Sequence, residues 1–116
     1  MRIISGIHKG RKIILPRNLS VRPTTDMSKE SLMNILNFKY EISSIKIIDL
    51  FSGSGNLSYE FFSRGCKEVT AVEINKKCVE FIKTKSNELK LNLKVLKKDV
   101  FTFLKNTKFN YDIIFA

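Results

Sequence analysis

The chain has no tryptophan, one histidine, two cysteines and two prolines in 116 residues, and no apolar run longer than about six residues. Each scarcity excludes something. Cys66 and Cys78 stand twelve apart, outside any CxxC or zinc spacing, and His8 is the lone imidazole, so neither a disulfide scaffold nor a metal site is expected. Apolar runs this short cannot cross a bilayer or form a secretory leader, so no membrane partner and a reduced, cytoplasmic setting are expected. Acids are also scarce. Eleven Asp and Glu face 21 Lys and Arg, a net charge of +10, which favours a polyanionic partner. The imbalance is concentrated at the start: residues 1–25 hold Arg2, Lys9, Arg11, Lys12, Arg17 and Arg22 and no acid. The length suits one small domain.

Arg2–Ser5 and Lys12–Leu15 read as two short strands of a hairpin turning through Gly6–Gly10, with His8 at an exposed tip. Pro16 ends the second, and an irregular basic stretch leads to Pro23. Thr24 or Thr25 caps a helix running to about Asn37, with Asp26 in its first turn and Leu32, Ile35 and Leu36 as the buried stripe. From Ile45 the rhythm becomes strand–helix–strand. Strands are expected at Ile45–Phe51, Glu68–Glu73, Leu93–Leu96 and Tyr111–Ala116, and helices at Asn56–Arg64, Asn75–Leu89 and Val100–Leu104. Continuous apolar strands alternating with helices predict an α/β fold, a doubly wound parallel sheet covered on both faces. The expected division is residues 1–44 as an N-terminal extension and 45–116 as the first half of the sheet domain. The chain is expected to be the front portion of a larger domain, because its last strand would otherwise be an apolar edge. Cys66 and Cys78 read as buried small hydrophobes, and Phe61, Phe62, Phe81, Phe101 and Phe103 as core.

The chemistry concentrates in Asp49-Leu50-Phe51-Ser52-Gly53-Ser54-Gly55, an apolar strand that ends in a carboxylate and enters a glycine loop. Glycine lets a backbone turn tightly and approach a ligand closely. Twenty-four residues after Asp49, Glu73 ends the next apolar run, where an acid accepts hydrogen bonds from ribose hydroxyls. Ser58 occupies the place of the third glycine of a dinucleotide fingerprint, and that fingerprint prefers an apolar residue where Asp49 stands. A carboxylate there suits a cationic group better than a pyrophosphate, so S-adenosyl-L-methionine, with its ammonium and sulfonium, is the better match. The candidate cofactor residues are Asp49, Phe51, Gly53, Ser54, Gly55, Glu73 and Ile74, with Asp99 offering its carboxylate to the adenine amine and Val100 its amide to the ring. The plain alternatives stay open: Glu73 as a cap of the following helix, and Asp99 as a helix N-cap.

Arg2-Ile3-Ile4-Ser5-Gly6, Gly10-Arg11-Lys12, Arg22-Pro23-Thr24-Thr25-Asp26, the Asp49–Gly55 loop and Ser63-Arg64-Gly65 together resemble the RsmD family, in order and along the whole chain. That resemblance implies a class I methyltransferase that moves a methyl group from S-adenosyl-L-methionine to the N2 of a guanine in 16S ribosomal RNA. It also implies a basic hairpin and helix that help grip RNA, a small-ribosomal-subunit partner and a monomeric full-length form. In the family the fourth strand leads into a D/N-P-P-Y/F motif that orients and stacks on a base swung out of its surroundings. Tyr111–Ala116 match the approach to that motif and the sequence stops before it. No catalytic residue is therefore assigned within the chain, and little turnover is expected from it alone.

Arg2, Lys9, Arg11, Lys12, Arg17 and Arg22 are candidates for phosphate contacts, which supply affinity rather than sequence readout; a merely solvated surface is the alternative, and Arg22 could instead pin the Pro23 turn. Three other functions remain in contention: a non-catalytic RNA-binding fragment, a DNA or other RNA amino-methylase, and, least favoured, a nicotinamide dehydrogenase.

Overall fold

A computed structural model describes residues 1–19, 21–108 and 110–116. Helix α1 (Asp26–Lys39) and a 3-10 turn (Ile42–Ser44) precede β1 (Lys46–Leu50), α2 (Asn56–Ser63), β2 (Glu68–Glu73), α3 (Lys76–Glu88), β3 (Lys94–Lys97), α4 (Val100–Asn106) and β4 (Ile113–Phe115). The four strands form one parallel sheet in the order β3-β2-β1-β4. The chain steps outward from β1 to β3, then returns across β1 to place β4 on its other side. That reversal makes the gap between the ends of β1 and β4 the switch point, where open α/β sheets bind ligands.

Alternation along β1 divides the core. Ile47 faces Phe61, Val69 and Met33, whereas Ile48 and Leu50 face Val72 and the α4 residues Val100 and Phe103. The N-terminal segment shares a third cluster with the sheet helices, in which Ile3, Ile13 and Leu19 pack on Tyr59, Cys78 and Ile82. Cys66 and Cys78 are free and buried, as expected. Burial raises both thiols above the usual cysteine range. No helix is long and apolar enough to cross a membrane among the described residues.

Helix starts follow local chemistry. Thr25 accepts from the Ser28 amide, Asn75 from the Cys78 amide and Asp99 from the Thr102 amide, each satisfying a first-turn donor. Three expectations need correction. The hairpin contracts to one antiparallel bridge, Arg2 with Lys12. Its first arm leaves the ladder because the Glu60 carboxylate takes the amides of Ile4 and Ser5, at 2.8 and 3.1 Å. The buried face of α1 is Lys29 and Met33; Ile35 is 57% exposed, and Leu32 and Leu36 are half-buried. Phe101 is exposed, against the expectation of a core residue, and meets Phe51 edge-on with ring centroids 6.3 Å apart.

Candidate functional site

The end of β1 turns through a strained loop. Phe51 (φ +53°), Gly53 (φ +56°) and Gly55 (φ +83°) are all left-handed, a region that disfavours a residue with a Cβ such as Phe51. At Gly55 a side chain is excluded twice over, since a Cβ would lie 2.8 Å from the Tyr59 ring. Gly53 has more room, with Val21 Cγ1 at 3.6 Å as its nearest neighbour. The loop is pinned to the second strand: the Ser52 amide and hydroxyl both donate to Val72 O, at 3.1 and 3.2 Å, and the Gly53 amide donates to Glu73 Oε1 at 2.9 Å.

Asp49 sits under this loop, only 4% exposed. Its hydrogen bonds among the described residues come from Ser58, whose hydroxyl donates to Oδ2 at 2.7 Å with the backbone amide adding to the hold, and no lysine or arginine pairs with it there. Burial pushes its carboxyl up to about 6, and the Glu73 charge adds to the rise, while the Ser58 bond opposes it. At neutral pH the carboxyl is nevertheless mostly ionised, a buried charge that faces no cation among the described residues. Ser58, read from sequence only as a departure from a glycine fingerprint, is therefore the residue that holds Asp49. Tyr59 follows it in α2, fully buried, with a hydroxyl that finds no partner among the described residues. Burial raises its phenol above the usual range, and Asp49 adds to the effect.

Glu73 closes the second strand. Its Oε2 accepts from the Asn75 amide at 2.9 Å while Oε1 holds Gly53, so it caps the turn into α3 and fixes the glycine loop at once. Ile74, beside it, is exposed, as is Phe51. Asp99 is exposed too, and its Oδ2 accepts from both the Thr102 amide and hydroxyl, the plain N-cap geometry; Val100 is buried below it. Ser54 is buried and Gly55 is the N-cap of α2.

A cleft of about 300 Å3 opens at the switch point. Asp49, Phe51, Gly53 and Ser54 of the β1 loop line it, together with Phe115 and Ala116 at the end of β4 and the segment Val21, Arg22, Pro23 and Thr24. Glu73, Ile74, Asp99 and Val100 lie outside that lining. Of the basic residues, Arg22 alone lines the cleft, whereas Lys9, Arg11, Lys12 and Arg17 project from the exposed arm. Arg2 is drawn into an exposed ion pair with Asp26 at 2.9 Å.

Sequence reasoning missed the group that sets this lining. Lys29 and Glu60 have fully buried side chains joined at 3.0 Å. Lys29 Nζ also donates to Arg2 O and to Asn56 Oδ1, and Arg64 Nε donates to Glu60 Oε2 at 2.7 Å. Burial alone would raise Glu60, but the Ile4 amide, Arg64 and Lys29 outweigh it and hold the carboxyl below its ordinary value. Asn56 Nδ2 donates to Thr24 O at 2.9 Å, so the buried charges reach the cleft wall through one amide. A basic residue within the α1 pattern and an i,i+4 Glu–Arg pair in α2 both look like solvated surface in a sequence.

Comparison with known proteins places this geometry in a lineage. The family described as "Conserved hypothetical protein 95" matches residues 1–116. The "Ribosomal RNA small subunit methyltransferase D" of Buchnera aphidicola subsp. Baizongia pistaciae is 35% identical over 116 residues, covering 99% of this chain and 59% of the relative. The protein of the same name from Haemophilus influenzae is 41% identical over 97 residues, covering 84% of this chain and 46% of its own length. The solved structure named "Putative methyltransferase yhhF", from Escherichia coli, superposes with a TM-score of 0.85 at 30% identity, over 98% of this chain and 61% of that one. The chain thus spans about half to three fifths of the length of the relatives it matches.

Proposed function

The chain belongs to the RsmD family, and on that footing we propose that it is the S-adenosyl-L-methionine-binding portion of an enzyme that methylates guanine N2 in 16S ribosomal RNA. One observation carries the cofactor reading. Asp49 is a buried carboxylate without a basic partner among the described residues, at the mouth of a sheet switch point and under a glycine turn. A cationic ligand group supplies the charge such a site lacks. The α-ammonium of the methionine moiety fits it, whereas a pyrophosphate would be repelled.

When bound, the cofactor supplies a methyl group on a sulfonium. The residues of this chain bind and orient it. Asp49 takes the ammonium, and the Gly53-Ser54-Gly55 turn lets backbone come close to the ligand. Glu73 offers its carboxylate to the ribose hydroxyls, its oxygens already aimed by the Gly53 and Asn75 amides. Phe51 and Ile74 present exposed apolar surface to the adenine, with the free Oδ1 of Asp99 and the Val100 amide for its polar edge.

Residues 1–44 act in this reading as the RNA-gripping extension and 45–116 as the first half of the cofactor domain. Lys9, Arg11, Lys12 and Arg17 are exposed and Arg2 is held by Asp26, which supports phosphate contacts by the first four above all. The partner is 16S ribosomal RNA or the small subunit during assembly, in the cytoplasm, with a monomer as the working form.

Calorimetric titration with S-adenosylhomocysteine, beside NADH as the competing cofactor class, tests the reading. Binding of the first and not the second is expected, and Glu73→Gln should weaken it about tenfold. No binding by a folded chain would refute the cofactor site. Methyl incorporation by the longer protein into small ribosomal subunits, compared with DNA, separates the RNA enzyme from a DNA amino-methylase.

A further inference from the structure

The cleft that Asp49 lines also carries, at Arg22, a charge that finds no partner among the described residues. Val21, Arg22, Pro23 and Thr24 line the cleft together with Asp49, Gly53 and Ser54. The segment is held by the Asn56 amide on Thr24 O, and Asn56 is itself held by the buried Lys29 ammonium at 2.9 Å. Pro23 fixes its own φ and restricts the residue before it to extended backbone, which limits where Arg22 can go. Arg22 is exposed and has no ion pair or hydrogen bond among the described residues. The lining of the cleft therefore includes both a buried acid, Asp49, and an arginine without a partner among the described residues, Arg22.

This pairing bears on the methionine end of the cofactor, and the argument rests on the cofactor reading above. An α-amino acid carries its ammonium and its carboxylate on the same carbon. A ligand that brings the ammonium to Asp49 must bring the carboxylate into the same cleft, and leaving it there without a cation would cancel much of what the ammonium gains. We propose that Arg22 is the carboxylate partner, its planar fork donating to the two carboxylate oxygens. Arg22 thus belongs to the cofactor site instead of the RNA-binding set that its charge suggests.

Two ligands separate the possibilities: S-adenosylhomocysteine, and 5′-methylthioadenosine, which lacks the amino acid end. Calorimetry on the unaltered chain, Arg22→Gln and Arg22→Lys should show Arg22→Gln weakening S-adenosylhomocysteine by about tenfold or more. Its affinity for 5′-methylthioadenosine should stay within about twofold, and Arg22→Lys should recover part of the loss. The assignment is overturned if Arg22→Gln binds S-adenosylhomocysteine as the unaltered chain does, including the case in which it loses only affinity for a short RNA. Equal loss of both ligands in both variants, with a lowered thermal midpoint, also overturns it, because Arg22 would then support the fold. If the unaltered chain binds neither ligand, the cofactor reading fails and the role of Arg22 falls with it, a result distinct from an unchanged Arg22→Gln titration.

Discussion

Replacing Asp49 with asparagine removes a charge while keeping an oxygen for the Ser58 hydroxyl at nearly the same place. The folded-state carboxyl is raised from 3.8 to about 6, chiefly by burial. A raised acid holds its proton more tightly in the native state than in the unfolded chain. Its contribution to stability is therefore present in full below pH 4, declines as pH rises through the interval to about 6, and is gone above it. At about 1.4 kcal/mol per pH unit, that interval amounts to roughly 3 kcal/mol. Other groups titrate over the same range, so the quantity to follow is the difference between Asp49→Asn and the unaltered chain. Urea unfolding at closely spaced pH values from 4 to 7.5 should show the variant gaining up to roughly 3 kcal/mol relative to the unaltered chain, levelling off above pH 6.5. Ligand binding should run the other way. Affinity of the unaltered chain for S-adenosylhomocysteine should rise about tenfold from pH 5 to pH 7.5 as the carboxyl ionises, while the variant binds weakly and without that slope. A stability difference flat within about 0.5 kcal/mol would refute the reasoning, since Asp49 would then titrate alike folded and unfolded.

Lys29→Met leaves buried Glu60 with one cation among the described residues, Arg64, and strips a donor from Arg2 O and Asn56 Oδ1; unfolding free energy should fall by about 3–5 kcal/mol, and a loss under about 1 kcal/mol in urea melts would mean the ammonium is not enclosed as described. The two hairpin glycines should respond differently to alanine although both have left-handed φ, +91° at Gly6 and +83° at Gly10. Gly6→Ala would drive a methyl to 1.9 Å from Ser63 O, so amide exchange should show the arm detached from α2. Gly10→Ala meets open space and should cost only about 1 kcal/mol of conformational strain; equal effects from the two would contradict the packing of the arm.

Where one strand's own residues decided the outcome, the sequence sufficed. β2 runs Glu68–Glu73 in both readings, because its apolar run is bounded by charge and stands between two other strands. β4 is shorter than expected. Asp112 ties itself to the first residue of β1, donating its amide to Lys46 O and accepting the Lys46 amide on its carboxylate, before the ladder begins. The glycine loop and its two flanking acids were legible because backbone reversal and charge at a strand end are local properties. The N-cap role of Asp99 was legible for the same reason. Lys29 was not. Periodicity assigns a lysine to the solvent side of a helix, and only Glu60, from another helix, with the carbonyl of Arg2 and the amide of Asn56, makes its burial tolerable.

That hidden cluster explains how an eight-residue helix can serve both ends of the molecule. α2 begins at the glycine loop, and its first residue, Asn56, holds the cleft wall at Thr24. Two residues on, Ser58 holds Asp49; two further, Glu60 holds the arm amides of Ile4 and Ser5; at its last position the Ser63 hydroxyl donates to Ser5 O and accepts from the His8 amide. The basic arm and the Asp49 cleft are thus fastened to one short rigid element instead of to separate layers. The arm cannot shift along α2 without giving up the Glu60 and Ser63 bonds, and losing the Glu60 position would also loosen Lys29, and through Lys29 the Asn56 amide that sets the wall. The placement of the arm and the placement of Asp49 therefore depend on the same few hydrogen bonds of α2.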